Sequence, residues 1–243
     1  MAQTLPLIEL DAVDLTIDGR AILRGVSLRT DVRRVAVLGR NGSGKTTLAR
    51  VMAGLQAPDA GLVRIAGVDV ARARRDALGA VGILFQNPDH QIIFPTVSEE
   101  LGFGLRQMGL GKIEVAAKVE QVLARFGKLA WHDAAIHQLS QGQRQLVCLM
   151  SILAMSPRVI VLDEPFAGLD IPTAMHLTRV LERAEPALVH ITHDPRMIGS
   201  YDHVLWVDAG QVQMQGAPST VVPAFETAMQ VLGVRDDLSD LTG

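Results

Sequence analysis

The sequence predicts an α/β fold: a parallel sheet carrying helices, interrupted by an all-helical segment. Three observations predict it. Val35-Ala36-Val37-Leu38 is an apolar run with two β-branched residues and reads as a buried strand. A glycine-rich turn follows, then Leu48-Ala49-Arg50-Val51-Met52-Ala53-Gly54, good helix formers closed by a glycine. Parallel-sheet character returns in Val159-Ile160-Val161-Leu162 and in residues 187–191, with a helical pattern at 173–183 between them. From Gln86 to about Gln145 the character differs: amphipathic patterns at 99–108 and 113–126 have no strand between them.

The remaining elements fit around these. Upstream, residues 7–10, 14–17 and 26–30 read as short strands punctuated by Asp18-Gly19 and Gly25. Beyond the first helix, 61–65 reads as a strand, 71–78 as an Arg-rich helix with a solvated face, and 81–85 as a strand. Asn87-Pro88 and Pro95 break structure ahead of the helical segment, which closes with a helix at 144–155. The chain ends with strands at 204–207 and 211–214, a helix at about 222–232, and a frayed tail containing Asp236, Asp237 and Asp240. There is no internal repeat.

Composition narrows the function classes. In 243 residues, 48% are hydrophobic, 20% charged and 4% aromatic, so the core is aliphatic and the class is globular. The net charge of −3 gives no electrostatic case for nucleic acid as a partner. Cys148 is the only cysteine and lies in an apolar helical run, as a core thiol in a reducing compartment would. No apolar stretch approaches the ~20 residues that cross a bilayer, and Glu9, Asp11 and Asp14 stand where a signal peptide would be apolar. The expected location is therefore the cytosol, reaching a membrane only through partners.

The chemistry begins at Gly39-Arg40-Asn41-Gly42-Ser43-Gly44-Lys45-Thr46-Thr47. Strand, glycine-rich turn and helix are the context that a GxxxxGK[ST] phosphate loop requires. Its glycines let backbone N–H groups turn inward around a phosphate, and the helix N-terminus adds partial positive charge. Lys45 reaches the outer phosphates and the Thr46 hydroxyl is placed to ligate Mg²⁺. The second apolar run ends in Asp163-Glu164, at the strand end where open α/β sheets bind ligands. Asp163 is suited to hold Mg²⁺ through water, the Walker B role. Glu164 is suited to take a proton from an attacking water. An N-cap aspartate would explain one of these acids but not both. His193 lies just past the strand at 187–191, either as a structural residue or against the γ-phosphate; His190, inside that strand, packs. Ser140, before Gln141-Gly142-Gln143, is a good N-cap, and a serine and glycine at a helix start also make an anion site.

Phosphate loop, Gln86, Leu139-Ser140-Gln141-Gly142-Gln143, Asp163-Glu164, Gly168-Leu169-Asp170 and His193 occur in the order and approximate spacing of ABC ATPase subunits, and the chain resembles that family to about residue 220. The resemblance implies a RecA-like P-loop core, an antiparallel β-subdomain and an inserted α-helical subdomain at about 87–150. It implies ATP and Mg²⁺ as cofactors and a head-to-tail dimer, a homodimer being the simplest. In that dimer Ser140, Gly142 and Gln143 of one protomer close on the nucleotide of the other. Gln86 would touch Mg²⁺ and a transmembrane partner, and Asp170 would lie across the interface. Residues 221–243 would form a C-terminal helix and tail.

Within the family, residues 85–91 and 94–100 are similar to the same segment of energy-coupling factor importers. Residues 139–145 and 163–170 look closest to the ATPase component of biotin importers. This implies a peripheral subunit on the cytoplasmic face of the membrane, partnered by a transmembrane scaffold and a substrate-binding membrane protein. Importers of cobalt, nickel or another vitamin are the nearest alternatives. A soluble ABC ATPase of DNA repair or translation would usually carry insertions or paired cassettes that are absent here. A P-loop kinase or GTPase would leave residues 140–143 and His193 unexplained. Three departures stand out. Ile17 occupies the position where many members stack an aromatic residue on adenine, so strict selection of ATP over GTP is not implied. Gln141 stands where glycine is usual. Arg33-Arg34 replaces a frequent Gly-Glu turn.

Overall fold

A computed structural model describes residues 5–234. Strand β1 (Ile8–Ile17) turns at Asp18-Gly19 into β2 (Arg20–Thr30). Both turn residues have positive φ, 49° and 75°, as a two-residue type I′ hairpin requires. The sequence suggests two strands where β1 is one. The expected break at residues 11–13 is a bulge: Ala12 sits at φ 45°, and its N–H donates to the Ser27 hydroxyl at 2.9 Å. Gly25, expected as a turn, lies inside β2 at φ 59° and donates its N–H to the Asp14 carboxylate at 2.8 Å.

Next come β3 (Arg34–Leu38), α1 (Lys45–Met52), β4 (Ala60–Ile65) and the two-residue β5 (Val68–Asp69), which the sequence did not signal. The Arg-rich helix α2 (Arg74–Ala80) starts three residues later than expected. The N–H groups of Arg72 and Ala73 are instead used in a turn onto the Asp69 carbonyl. β6 (Val81–Leu84) leads into the helical segment α3 (Val97–Gln107), α4 (Lys112–Arg125) and α5 (Gln141–Ala154). β7 (Val159–Asp163), α6 (Ile171–Glu182), β8 (Ala187–Thr192), β9 (His203–Asp208) and β10 (Gln211–Gly216) complete the sheet. α7 (Pro218–Val234) starts earlier than the expected 222 and tolerates Pro223 within it. The tail carrying Asp236, Asp237 and Asp240 lies outside the described residues.

The strands form an antiparallel sheet, β2-β1-β4-β5, and a second sheet ordered β10-β9-β3-β8-β7-β6. In the second, all neighbours run parallel except the edge strand β10. This is the RecA-like arrangement with a β-subdomain and a helical insertion. One apolar core lies between the sheets around α1, with Val35, Val37, Leu48 and Met52 fully buried. A second fills the helical segment with Leu101, Leu105, Leu123 and Leu149, meeting the sheet at Ile160 and Leu162. α7 packs Val221 and Phe225 onto Ala36, Leu38 and Val204. The Arg33-Arg34 departure has a structural account here. Arg33 donates to the Glu185 carbonyl, and Arg34 donates to those of Pro186 and Glu182 at 3.2 and 3.4 Å. Two cations thus neutralise the carbonyl-rich end of α6. No helix among the described residues is long and apolar enough to cross a membrane.

Leu149→Ala removes a fully buried side chain from the helical core and is expected to destabilise the protein by about 2–5 kcal/mol. Ile113→Ala, on an exposed face of α4, should stay within about 0.5 kcal/mol. Urea unfolding midpoints of the two variants against the parent check both.

Candidate functional site

The register of the sheet decides where the site is. Leu38 pairs with Thr192, Leu162 with His190 and Asp163 with Ile191. The loop after β3, the Asp163-Glu164 pair after β7 and His193 after β8 therefore leave the sheet at one edge.

Residues Gly39, Arg40, Asn41, Gly42, Ser43, Gly44, Lys45, Thr46 and Thr47 form one closed turn there. A Cβ at Gly39 would overlap the Val207 carbonyl oxygen, so only glycine fits where the loop crosses β9. Gly44, at φ 98°, precedes α1, and a Cβ there would press on the Ile22 carbonyl. Among the described residues, the N–H groups of Asn41, Gly42, Gly44, Lys45, Thr46 and Thr47 have no acceptor. Free N–H groups in a glycine-rich loop and at the start of the helix that follows it fit a polyphosphate.

Lys45 is 5% exposed. Its ammonium donates to the carbonyls of Gly39 at 2.9 Å and Arg40 at 2.7 Å. Burial pushes its pKa down, against the opposing pull of Glu164 and Asp163. The Thr46 hydroxyl donates to Asp163 Oδ1 at 3.2 Å. Burial pushes the Asp163 carboxyl up, and the Thr46 hydrogen bond works against that. A hydroxyl and a carboxylate this close supply hard oxygen donors that fit Mg²⁺.

Glu164 has φ 47°, left-handed backbone that costs a residue with a Cβ about 1–2 kcal/mol. That conformation directs its carboxylate to His193, whose Nδ1 lies 2.8 Å from Glu164 Oε1. An ionised carboxylate can only accept, so in this pair the Nδ1–H is the donor. His193 is therefore joined to Glu164 rather than being an isolated structural residue. His190, by contrast, is buried between Phe166 and Tyr201, with ring centroids 5.7 and 5.5 Å away.

Ser140, Gly142 and Gln143 sit at the start of α5. Ser140 Oγ accepts from the Gln143 N–H at 3.3 Å, and Gln143 Oε1 accepts from the Ser140 N–H at 2.8 Å, a reciprocal capping box. A Cβ at Gly142 would overlap the Thr173 side chain, so this helix start lies against that of α6. There Asp170 caps α6 by accepting from the Thr173 N–H at 2.8 Å, and its hydrogen bonds from Thr173 hold its carboxyl low. Among the described residues, no hydrogen bond joins Ser140, Gly142, Gln143 or Asp170 to the phosphate loop. They make a second, separate face. Gln86 stands exposed, two residues beyond the end of β6, beside the β7 terminus that carries Asp163.

Sequence reasoning did not single out two buried polar side chains. Glu100 accepts from the N–H groups of Ile93 and Phe94, both at 2.9 Å, and fixes the segment after Gln86. Gln145 donates to the carbonyls of Phe85 and Pro165. The available signal was a polar residue on the apolar face of a helix, which α5 shows at Gln145.

Loop, acid pair and separate capped helix together define a P-loop ATPase cassette. A family model described as "ABC transporter" matches residues 24–167. The chain is 47% identical, over 93% of its length and 96% of the relative's, to the biotin transport ATP-binding protein BioM of Rhodobacter capsulatus. It is 37% identical to the energy-coupling factor transporter ATP-binding protein EcfA of Methanothermobacter thermautotrophicus, over 83% of this chain and 67% of that one. The solved structure of cbiO1 from Clostridium perfringens, part of the ABC transporter complex cbiONQ, is similar with a TM-score of 0.75. It is 29% identical, covering 97% of this chain and 98% of that one. The chain belongs to the ABC transporter ATP-binding family, and is an enzyme that binds and hydrolyses ATP.

Burial pushes the His190 pKa down to about 4. Its unfolded counterpart, near 6.5, takes a proton first as pH falls. Stability is therefore complete above 6.5, is lost as pH falls from there towards 4, and levels off below. The loss is at most about 3 kcal/mol. His190→Gln is expected to flatten this part of the curve, measured as urea midpoints between pH 7 and 4.

Proposed function

We propose that this chain is the motor subunit of an energy-coupling factor importer, and that the cargo of the system is biotin. The observation that carries the reading is the likeness to BioM along almost the entire length of both chains. The ATPase unit extends to about residue 220, with residues 87–150 as the helical part and the remainder as a terminal helix and tail. The loop from Gly39 to Thr47 wraps the phosphates of ATP, and Lys45 moves from the Gly39 and Arg40 carbonyls onto the outer ones. Thr46, Asp163 and Gln86 hold Mg²⁺, which supplies charge neutralisation on the phosphate oxygens. Glu164 takes the proton of the attacking water, and His193 keeps the carboxylate aimed.

Ser140, Gly142, Gln143 and Asp170 act on the nucleotide of a second protomer, in a homodimer closed head to tail. ATP, with its γ-phosphate, can span both faces and ADP cannot. That difference in contacts is what shifts the closed–open equilibrium. The motion passes through residues 86–100 to a transmembrane scaffold at the cytoplasmic face, which works with a substrate-binding membrane protein. A groove of about 470 Å³ between α3 and α4, lined by Phe94, Val115, Val119 and Arg106, suits an amphipathic helix of that scaffold. Arg106 lies over the Phe94 ring at 5.4 Å, so the groove wall is apolar with a cationic rim.

Purification from native membranes in mild detergent should recover a transmembrane scaffold and a small biotin-binding membrane protein. Recovery with ribosomes or DNA-processing factors would refute the transport reading. Glu164→Gln should bind ATP normally and hydrolyse it about 10²–10⁴-fold more slowly, as loss of a general base does. Turnover at the parental rate would remove Glu164 from that role.

A further inference from the structure

Gln145 is 1% exposed, on the face of α5 turned to the sheet. Its Nε2 donates to the Phe85 carbonyl at 2.9 Å and to the Pro165 carbonyl at 3.4 Å. Phe85 immediately precedes Gln86, and Pro165 immediately follows Glu164. The amide orientation is fixed by chemistry: turned over, Oε1 would face two carbonyl oxygens with no proton between them. Oε1 has no partner of its own, so this amide sits at a buried place only for its two donors. An apolar side chain of the same size would remove the unpaired Oε1 but would leave the Phe85 and Pro165 carbonyls without their donor. What sets this residue apart is therefore the pair of carbonyls it joins, not the volume it fills.

Neighbouring contacts extend the tie. The Phe85 N–H donates to Gln91 Oε1 at 3.3 Å, so both backbone groups of Phe85 are held by side chains. Arg144, next to Gln145, places Nε 3.0 Å from Asp89 Oδ1 and donates to the Leu139 carbonyl at 2.7 Å. The first turns of α5 are thereby joined to residues 85–91 from two sides. Among the described residues of α5, only Gln145 donates a hydrogen bond to the segment just past Asp163 and Glu164.

We propose that Gln145 is a positioning residue for hydrolysis. It makes the start of α5, the backbone of Gln86 and the backbone beyond Glu164 move as one unit. Displacement of residues 86–100 by a partner, or of Ser140 by nucleotide on a second protomer, then reaches Glu164 through one amide. Glu164 is the residue that needs such support, because its left-handed backbone at φ 47° persists only while its surroundings hold it. The inference rests on Glu164 being the general base.

The test uses the full-length protein with saturating Mg²⁺ and ATP. Gln145→Met keeps the volume and removes both donors. It is expected to lower kcat by ~10²-fold, the effect of a ~1 Å misplacement, with ATP affinity at the parental value. In Gln145→Glu, an ionised carboxylate cannot donate while a protonated one donates once. Its rate relative to the parent should therefore rise as pH is lowered through the carboxyl range, which a space-filling role would not produce. Parental turnover in Gln145→Met overturns the proposal. So does a fall of kcat, ATP affinity and melting temperature in step. Should Gln145→Met fail to fold, a parental pH profile in Gln145→Glu overturns it equally. Parental turnover in Glu164→Gln defeats the base assignment and this inference together. Loss there with retention in Gln145→Met defeats this inference alone.

Discussion

The site depends on one buried ammonium. Lys45 is held by the carbonyls at positions 39 and 40, which close the loop on its own lysine before any ligand arrives. A charge so enclosed must be paired or solvated by dipoles. Here two carbonyl dipoles take that part, and the carboxylates of Asp163 and Glu164 lie within electrostatic reach. The loop is thereby closed on its own lysine, with two of its carbonyls engaged.

The acids that face this charge belong to the end of β7, far along the chain, and reach it because β3 and β7 flank β8 in parallel register. Parallel strands put all their carboxyl ends at one edge, which assembles loop, acids and His193 without any long-range loop. The helical segment, with its own apolar core, carries the α5 start on a different face. It meets the sheet and α6 through Leu84, Ile160, Leu162, Leu177, Leu181 and Leu188, and through the polar tie at Gln145. A joint of this kind passes a displacement of the helical segment to the strand ends.

Much of this was legible in the sequence, for definite reasons. Val35–Leu38, Val159–Leu162 and the run at 187–191 are buried on both faces, so their apolar continuity survives in the sequence. The phosphate loop was legible because glycines there are required by close approach to Val207 and Ile22, and Ser140 because a capping box is local chemistry. The first third was read less well. Bulges at Ala12 and Gly25 look like turns in one dimension, since a bulge and a turn use the same residues and differ only in their cross-strand partners. β5 is too short to show a period. The Glu164–His193 contact and the two carbonyls held by Gln145 are products of tertiary packing. No spacing rule encodes them.

The two faces of the cassette differ in how they are prepared for an anion. In the phosphate loop, donors are free because no side chain caps the helix. At α5 the capping box is complete, yet it does not use every donor. Ser140 uses a hydroxyl lone pair to accept from Gln143, and Gln143 uses its carbonyl to accept from Ser140. The Ser140 hydroxyl proton, the Gln143 side-chain NH₂ and the Gly142 N–H in the first turn remain unspent. The cap thus holds the helix start with two N–H donors and two side-chain acceptors and leaves these other donors without partners among the described residues. An ordered donor set of this kind loses little conformational entropy when it meets an anion, whereas the phosphate loop adds a buried ammonium to its own free donors.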